Sequence, residues 1–409
     1  MNLQANLVKY AQLILKVGLN IQPGDKLLVR LDEHGLPLAR EIARQAYDLS
    51  AHDIQLMFQD DGLTLARYLH APDAAFDRVP GFFADFREAA YLDNYHLLAL
   101  NAPNPELLKQ ADPARISRWE KVQSQANERI MKYTMENQVK WSIAALPSPA
   151  WAVSVFPQLE EAAAISALWE KIFEATRVNL EDPVAAWEAH QQALARHVDF
   201  LNRHHFEKLH YEGPGTDLVV YLPQGHVWKG GASRIPRGDS FMPNLPTEEV
   251  FTLPHAHKVD GTLAATLPLS TRGRLIEGLR FTFRDGQVVD FAADSGADII
   301  KGLLDTDEGA RRLGEVALVG EDSPIRRTGL LFRNTLFDEN ASCHFALGQA
   351  YAENLEGGSQ MDREQQKAAG MNRSLIHVDF MVGGPQLRVT GYTPQGQAVP
   401  LLVAGNWVV

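Results

Sequence analysis

Ser374-Leu375-Ile376-His377-Val378-Asp379-Phe380-Met381 is the run whose reading decides the fold. Ile376, Val378 and Phe380 alternate with His377, Asp379 and Met381, the period-two pattern of a strand buried on one face. A strand sends residues i and i+2 to the same side, so His377 and Asp379 project together. An imidazole beside a carboxylate makes two metal ligands, or one ligand and its orienting partner. Taken alone, the pair also fits a half-buried strand that happens to carry two polar residues on its outer face.

The stretches upstream add weight to the metal reading. Asn334 to Tyr351, NTLFDENASCHFALGQAY, reads as a turn leading into a short helix, with Asp338 or Asn340 as its N-cap. A helix there would set His344, Gly348 and Tyr351 on one face, the glycine leaving room beside the imidazole. Asn244 to Thr252, NLPTEEVFT, reads as a loop entering a strand. Leu313 to Val319, LGEVALV, carries Glu315 inside an apolar run. A carboxylate in such a run is expensive to bury unless a cation or a hydrogen-bond network compensates it.

PTEEVFT, GEVALV, the run from Asn334 to Tyr351 and HVDFMVG, in this order, resemble the thermophilic-type metallo-aminopeptidases, the aminopeptidase T/S family. The motif-bearing match spans roughly residues 210 to 384. The resemblance implies a metal-dependent exopeptidase that releases N-terminal amino acids, holds two divalent ions per subunit, and works as a homodimer. Carried over position by position, it makes Glu249, Glu315, His344, Tyr351, His377 and Asp379 the metal-site residues. Cys343 lies outside this set and reads as a small buried thiol.

With 409 residues the chain is long enough for two domains, each with its own core. No run approaches the roughly 18 consecutive apolar residues that span a bilayer, so no membrane partner is expected. No secretory signal is visible at the start, and the single cysteine, Cys343, excludes an intramolecular disulfide; both fit a cytoplasmic protein. A formal net charge of −12 argues against nucleic acid, whose phosphates would be repelled. It is compatible with acidic metal sites and with a cationic α-ammonium on the substrate.

Along the first half, helix-like spacing at 3–17, 38–49 and 115–138 alternates with the short apolar runs Lys26–Leu31, Asp53–Phe58, Tyr95–Leu100 and Lys140–Leu146. That alternation predicts an α/β domain with a mainly parallel sheet. No glycine-rich phosphate loop follows any of these strands. Pro147 to Pro149 reads as a proline-broken loop, and Trp151 as packing more than as a wall of a substrate channel. His34, His52 and His96 read as surface or structural residues. Helical periodicity from 159–177 and 184–204 then gives way to hairpins, including Asp285-Gly286 between alternating strands. The expected division is an α/β domain over 1–204 and an α+β, β-rich metal-binding domain over 205–409.

Three carboxylates, two histidines and a phenol, with no thiolate required, suit Zn²⁺, Co²⁺, Mn²⁺ or Mg²⁺. Two ions about 3.5–4 Å apart need a bridging ligand, and Glu315, set in the most apolar run, is the expected bridge. Glu248 is the expected general base if the chain turns it inward, with a surface or supporting role as the alternative. Tyr351 ligates as phenolate, donates a hydrogen bond to the reacting carbonyl, or packs. His255 and His257 read as a site lip or exposed loop. The rival function is another two-metal hydrolase, a phosphoesterase or amidohydrolase, kept open by Arg272, Arg274 and Arg280.

Overall fold

The computed structural model describes residues 2–271 and 274–409, so Arg272 lies outside the described residues. The chain divides into two compact units: one runs from the N-terminus to Ala189 and adds Ala232–Pro246, the other comprises His190–Gly231 and Thr247–Val409. The break falls inside the helix Pro183–His204, before the expected boundary at 204, and the chain returns once to the first unit.

In the first unit, alternating strands and helices give a five-stranded sheet in the order Asn244–Leu245, Trp141–Ala145, Tyr95–Asn101, Lys26–Leu31, Asp53–Phe58. Every neighbouring pair is parallel. Near-continuous burial along Tyr95–Asn101 is what a strand covered on both faces needs. At the strand starts, Lys140 is fully buried and pairs with Asp25, which also binds Arg237 at 2.7 Å and faces His96 at 3.4 Å. His96 is thus structural, as expected. The expected loop after Pro147 is instead a helix, Pro149–Val155, because the Ser148 hydroxyl caps it and Pro149 occupies its first turn. Trp151 is fully buried in this helix.

The second unit stacks two antiparallel sheets. An eight-stranded sheet runs from Gln287–Ala292 through Thr216–Tyr221 to Asn406–Trp407. A five-stranded sheet has the order His377–Met381, His344–Gly348, Leu313–Leu318, Val250–Thr252, Lys229–Gly230. One face of this second sheet presents Val316, Leu318, Phe345, Leu347 and Phe380 to a core shared with Leu209, Tyr211, Val220 and Phe281. The Tyr211 and Phe345 rings lie 4.9 Å apart, and those of Phe281 and Phe380 5.2 Å apart. Each fully buried side chain of this kind stabilises the unit by about 1.5–3 kcal/mol. The other face is left for chemistry.

The main departure from the sequence reading is His344. It starts a strand, not a helical turn. The helix stops at Asp338, capped by Asn334 rather than by Asp338 or Asn340, and a short 3₁₀ turn, Glu339–Ala341, follows. Asp338 instead accepts backbone N–H groups from Phe332 and Asn334, at 2.7 and 3.0 Å. His344–Gly348 is paired on both sides, and Gly348 has φ +103°, which no helix accommodates. A Cβ at Gly348 would meet the Ile376 carbonyl oxygen at 2.2 Å. The glycine therefore serves close strand approach, not space beside an imidazole.

Candidate metal centre

Strand register assembles the site. Ala346 is opposite Glu315 on one side and Asp379 on the other, while His344 faces Ala317 and His377 faces Gly348. With period-two alternation, Glu315, His344, His377 and Asp379 all project from one face. Ala317, Ala346 and Gly348 form a floor of small residues between them. The register shifts between Leu313 and Glu315, a bulge at Gly314 of the kind that re-aims a side chain. Glu249 enters from the next strand, just before Val250, and is buried.

These side chains form two groups of potential ligand atoms, each within 4.8 Å of one another: Glu249, Glu315 and His344, and Glu315, His377 and Asp379. Glu315 belongs to both. Its Oε1 lies 3.3 Å from His344 Nε2, and its Oε2 lies 3.7 Å from His377 Nε2. Tyr351 joins at the side, its ring 4.9 Å from that of His377 and 6.2 Å from that of Phe251.

Both histidines are held in one tautomer. A carbonyl can only accept, so Nδ1–H of His344 donates to Ser342 O at 3.1 Å and Nδ1–H of His377 donates to Gln349 O at 2.7 Å. When the rings are neutral, each Nε2 turns a lone pair towards carboxylates: Glu249 Oε2 at 3.1 Å for His344, Asp379 Oδ1 at 3.3 Å for His377. Glu249 Oε2 and His344 Nε2 are buried with no hydrogen-bond partner. A divalent cation between them satisfies both, so the residues fit the metal implied by the sequence.

Without a cation the electrostatics are strained. Burial opposes the charged ring of His344, yet the adjacent Glu249 and Glu315 carboxylates hold its pKa well above the ordinary value. Burial likewise opposes His377, but Asp379 and then Glu315 push it up to about 9. Burial raises the Glu315 carboxyl against the pull of the adjacent His344, and the charges of Asp379 and Glu249 add to the rise. For Tyr351, burial and then the charges of Glu315 and Asp379 push the phenol well above its usual range.

Sequence reading missed Glu339. It follows the short helix, is half-buried, and burial together with the charges of Asp379 and Glu249 raises its carboxyl well above the usual range. Its only sequence signal is an acidic residue next to Phe337 and Asp338, which resembles an ordinary helix end. Glu248 is buried but belongs to neither ligand group; its Oε2 lies 3.5 Å from His190 Nε2. His255 and His257 also lie outside both groups, the His257 N–H donating to His255 Nδ1 at 3.1 Å. Cys343 is the buried thiol expected: its Sγ donates to Val319 O at 3.1 Å, and burial raises it to about 11. Arg274 and Arg280, which would favour a phosphoester, are exposed and paired with Asp298 and Asp294.

Similar proteins include several named aminopeptidases. The chain is 46 % identical to Aminopeptidase 2 of Geobacillus stearothermophilus, over 99 % of this chain and 98 % of that one. It is 44 % identical to Aminopeptidase AmpS of Bacillus subtilis, over 97 % of each chain. Its structure superimposes on wild-type AmpT from Thermus thermophilus with a TM-score of 0.94 at 41 % identity, covering 99 % of this chain and 100 % of that one. Residues 3–407 match the thermophilic metalloprotease (M29) family, and the chain belongs to it.

Proposed function

We propose that this metalloprotease is an aminopeptidase that removes N-terminal residues from peptides with a free α-amino group, using two divalent cations. The observation that carries the two-ion reading is Glu315, whose separate oxygens face separate ligand groups. Charge supports the count: Glu249, Glu315, Glu339 and Asp379 bring four negative charges to two neutral imidazoles, and two dications balance them. Glu249 and His344 would hold one cation, His377 and Asp379 the other, with Glu315 shared and Tyr351 beside the second. When bound, such ions acidify a water towards neutral pH and polarise the scissile carbonyl.

The chain's own groups do the rest. Ser342 O and Gln349 O fix the two imidazoles with Nε2 inward. We assign proton transfer to the Glu339 carboxylate, carried on the turn Glu339–Ala341 just before the His344 strand; Glu248 is the rival. Tyr351, its ring beside that of His377, would donate its O–H to the oxygen that becomes negative during attack. The half-buried His377 and Asp379 leave that edge open to a substrate. Zinc or cobalt as the resident ion, cytoplasmic location and a homodimer belong to the same proposal; no helix among the described residues is long and apolar enough to cross a membrane.

The test is hydrolysis of a panel of aminoacyl amides, N-acetylated analogues and phosphoesters, before and after chelation, with bound metal measured in parallel. The expected outcome is chelator-sensitive cleavage of the free-amine substrates alone. Equal cleavage of acetylated peptides, or turnover of phosphoesters in their place, would overturn the reading.

A further inference from the structure

Asn340 ties together parts of the centre that the ladder does not. Its side chain is fully buried. Oδ1 accepts the backbone N–H of Glu248 at 2.7 Å. Nδ2 donates to Leu336 O at 2.9 Å and reaches Glu339 Oε1 at 3.4 Å. The Asn340 carbonyl accepts the Ser323 hydroxyl at 3.0 Å, which anchors the residue from behind.

The Glu248 N–H lies one residue before Glu249, where the chain enters its strand. Register pairing starts only at Val250, opposite Leu318 and Gly230. Glu249 therefore sits at the open end of the ladder, and its carboxylate must still meet His344 Nε2 at 3.1 Å. The other ligands are carried inside paired strands and need no such support.

We propose that Asn340 is a positioning residue for the Glu249–Glu315–His344 group. It fixes the depth of the Glu248–Glu249 peptide through Oδ1, while its Nδ2 reaches the neighbouring Glu339 carboxylate. Glu315–His377–Asp379 takes no bond from it. The inference rests on the metal-centre reading and adds an asymmetry to it: one ion depends on Asn340, the other does not. Removing the amide leaves the Glu248 N–H as a buried donor without acceptor and frees the peptide that delivers Glu249.

Calorimetric titration of the metal-free full-length protein with Zn²⁺ or Co²⁺, beside thermal melting, tests it. Wild type should show two binding events. Asn340→Ala should weaken one of them about 10–100-fold, the usual cost of losing a group that orients a ligand, and leave the other unchanged. Asn340→Asp, which keeps the acceptor for the Glu248 N–H, should restore the weakened event. If the alanine variant does not fold, Asn340→Ser, which withdraws the acceptor while keeping a small polar side chain, carries the same comparison. A variant that melts earlier but keeps both events, or weakens both equally, would overturn the proposal. A wild-type protein that binds no cation would instead overturn the metal-centre reading.

Discussion

Glu249 Oε2 and His344 Nε2 lie 3.1 Å apart, buried, and neither has a hydrogen-bond partner. Two such atoms pack together at low cost only with a proton or a cation between them. Chelation should therefore abolish peptide hydrolysis and lower the melting temperature, since a ligand at 100 times its Kd stabilises by about 2.7 kcal/mol. Differential scanning calorimetry with and without chelator measures it. A metal-free sample with full activity and unchanged melting would refute the cation.

Proton and cation compete for His377. Its pKa is raised from 6.5 to about 9 by Asp379 and Glu315, against burial. A raised folded-state value gives the metal-free protein stability that is complete below about 6.5 and lost as pH rises through about 9. A metal requires the neutral ring, so its affinity should rise with pH over that window and protons should be released on binding. Titration in buffers of different ionisation enthalpy counts those protons. A flat affinity would remove His377 from the ligand set.

His377→Ala and Asp379→Ala should each lower metal occupancy and cut kcat/KM by two or more orders of magnitude, roughly the cost of removing a metal-centred contribution of several kcal/mol. Val378 packs against the core from the opposite face. Val378→Ala should cost on the order of 1–3 kcal/mol of stability and keep its metal. The reverse pattern would mean the strand presents its other face.

Ala346 stands opposite both Glu315 and Asp379. Ala346→Val would place two further methyl carbons on the floor where the ions belong, at an overpacking cost of about 1–3 kcal/mol. Loss of at least one bound metal per subunit is expected, read by elemental analysis of folded protein. Ala346→Gly, which clears the floor, should keep both. Full occupancy in the valine variant would place the ions elsewhere.

Three glutamates separate by role. Glu315→Gln should lose metal and activity together. A proton-transfer residue contributes typically 10²–10⁴-fold, so Glu339→Gln should keep both metals while kcat falls within that range and KM changes little. Glu248→Gln, its carboxylate beside His190, should fall less. If Glu248→Gln shows the larger kcat loss with metals intact, the assignment passes to Glu248.

The architecture was legible where periodicity was clean. Lys26–Leu31 and Asp53–Phe58 appear as strands over the expected residues. His377 and Asp379 share a face because period-two spacing leaves no other outcome. His344 was misread because His344–Gly348 is buried throughout, so no alternation shows. Asp338 and Asn340 pointed to a helix start there, whereas the helix is capped by Asn334 and ends at Asp338. Asn340 and Glu339 read as ordinary helix-end residues: the local sequence does not show what they touch, as with Asn340 and Glu248 at a separation of 92.

The alternation of His377–Met381 also governs how this chain can change over generations. Val378 and Phe380 answer to the fold, while His377 and Asp379 face the candidate metal centre, within a single strand of five residues. A descendant that abandoned hydrolysis could lose His377 and Asp379 and keep its shape through Val378 and Phe380. In any lineage of such proteins, therefore, retained core residues alone say nothing about retained activity; only the other parity records it.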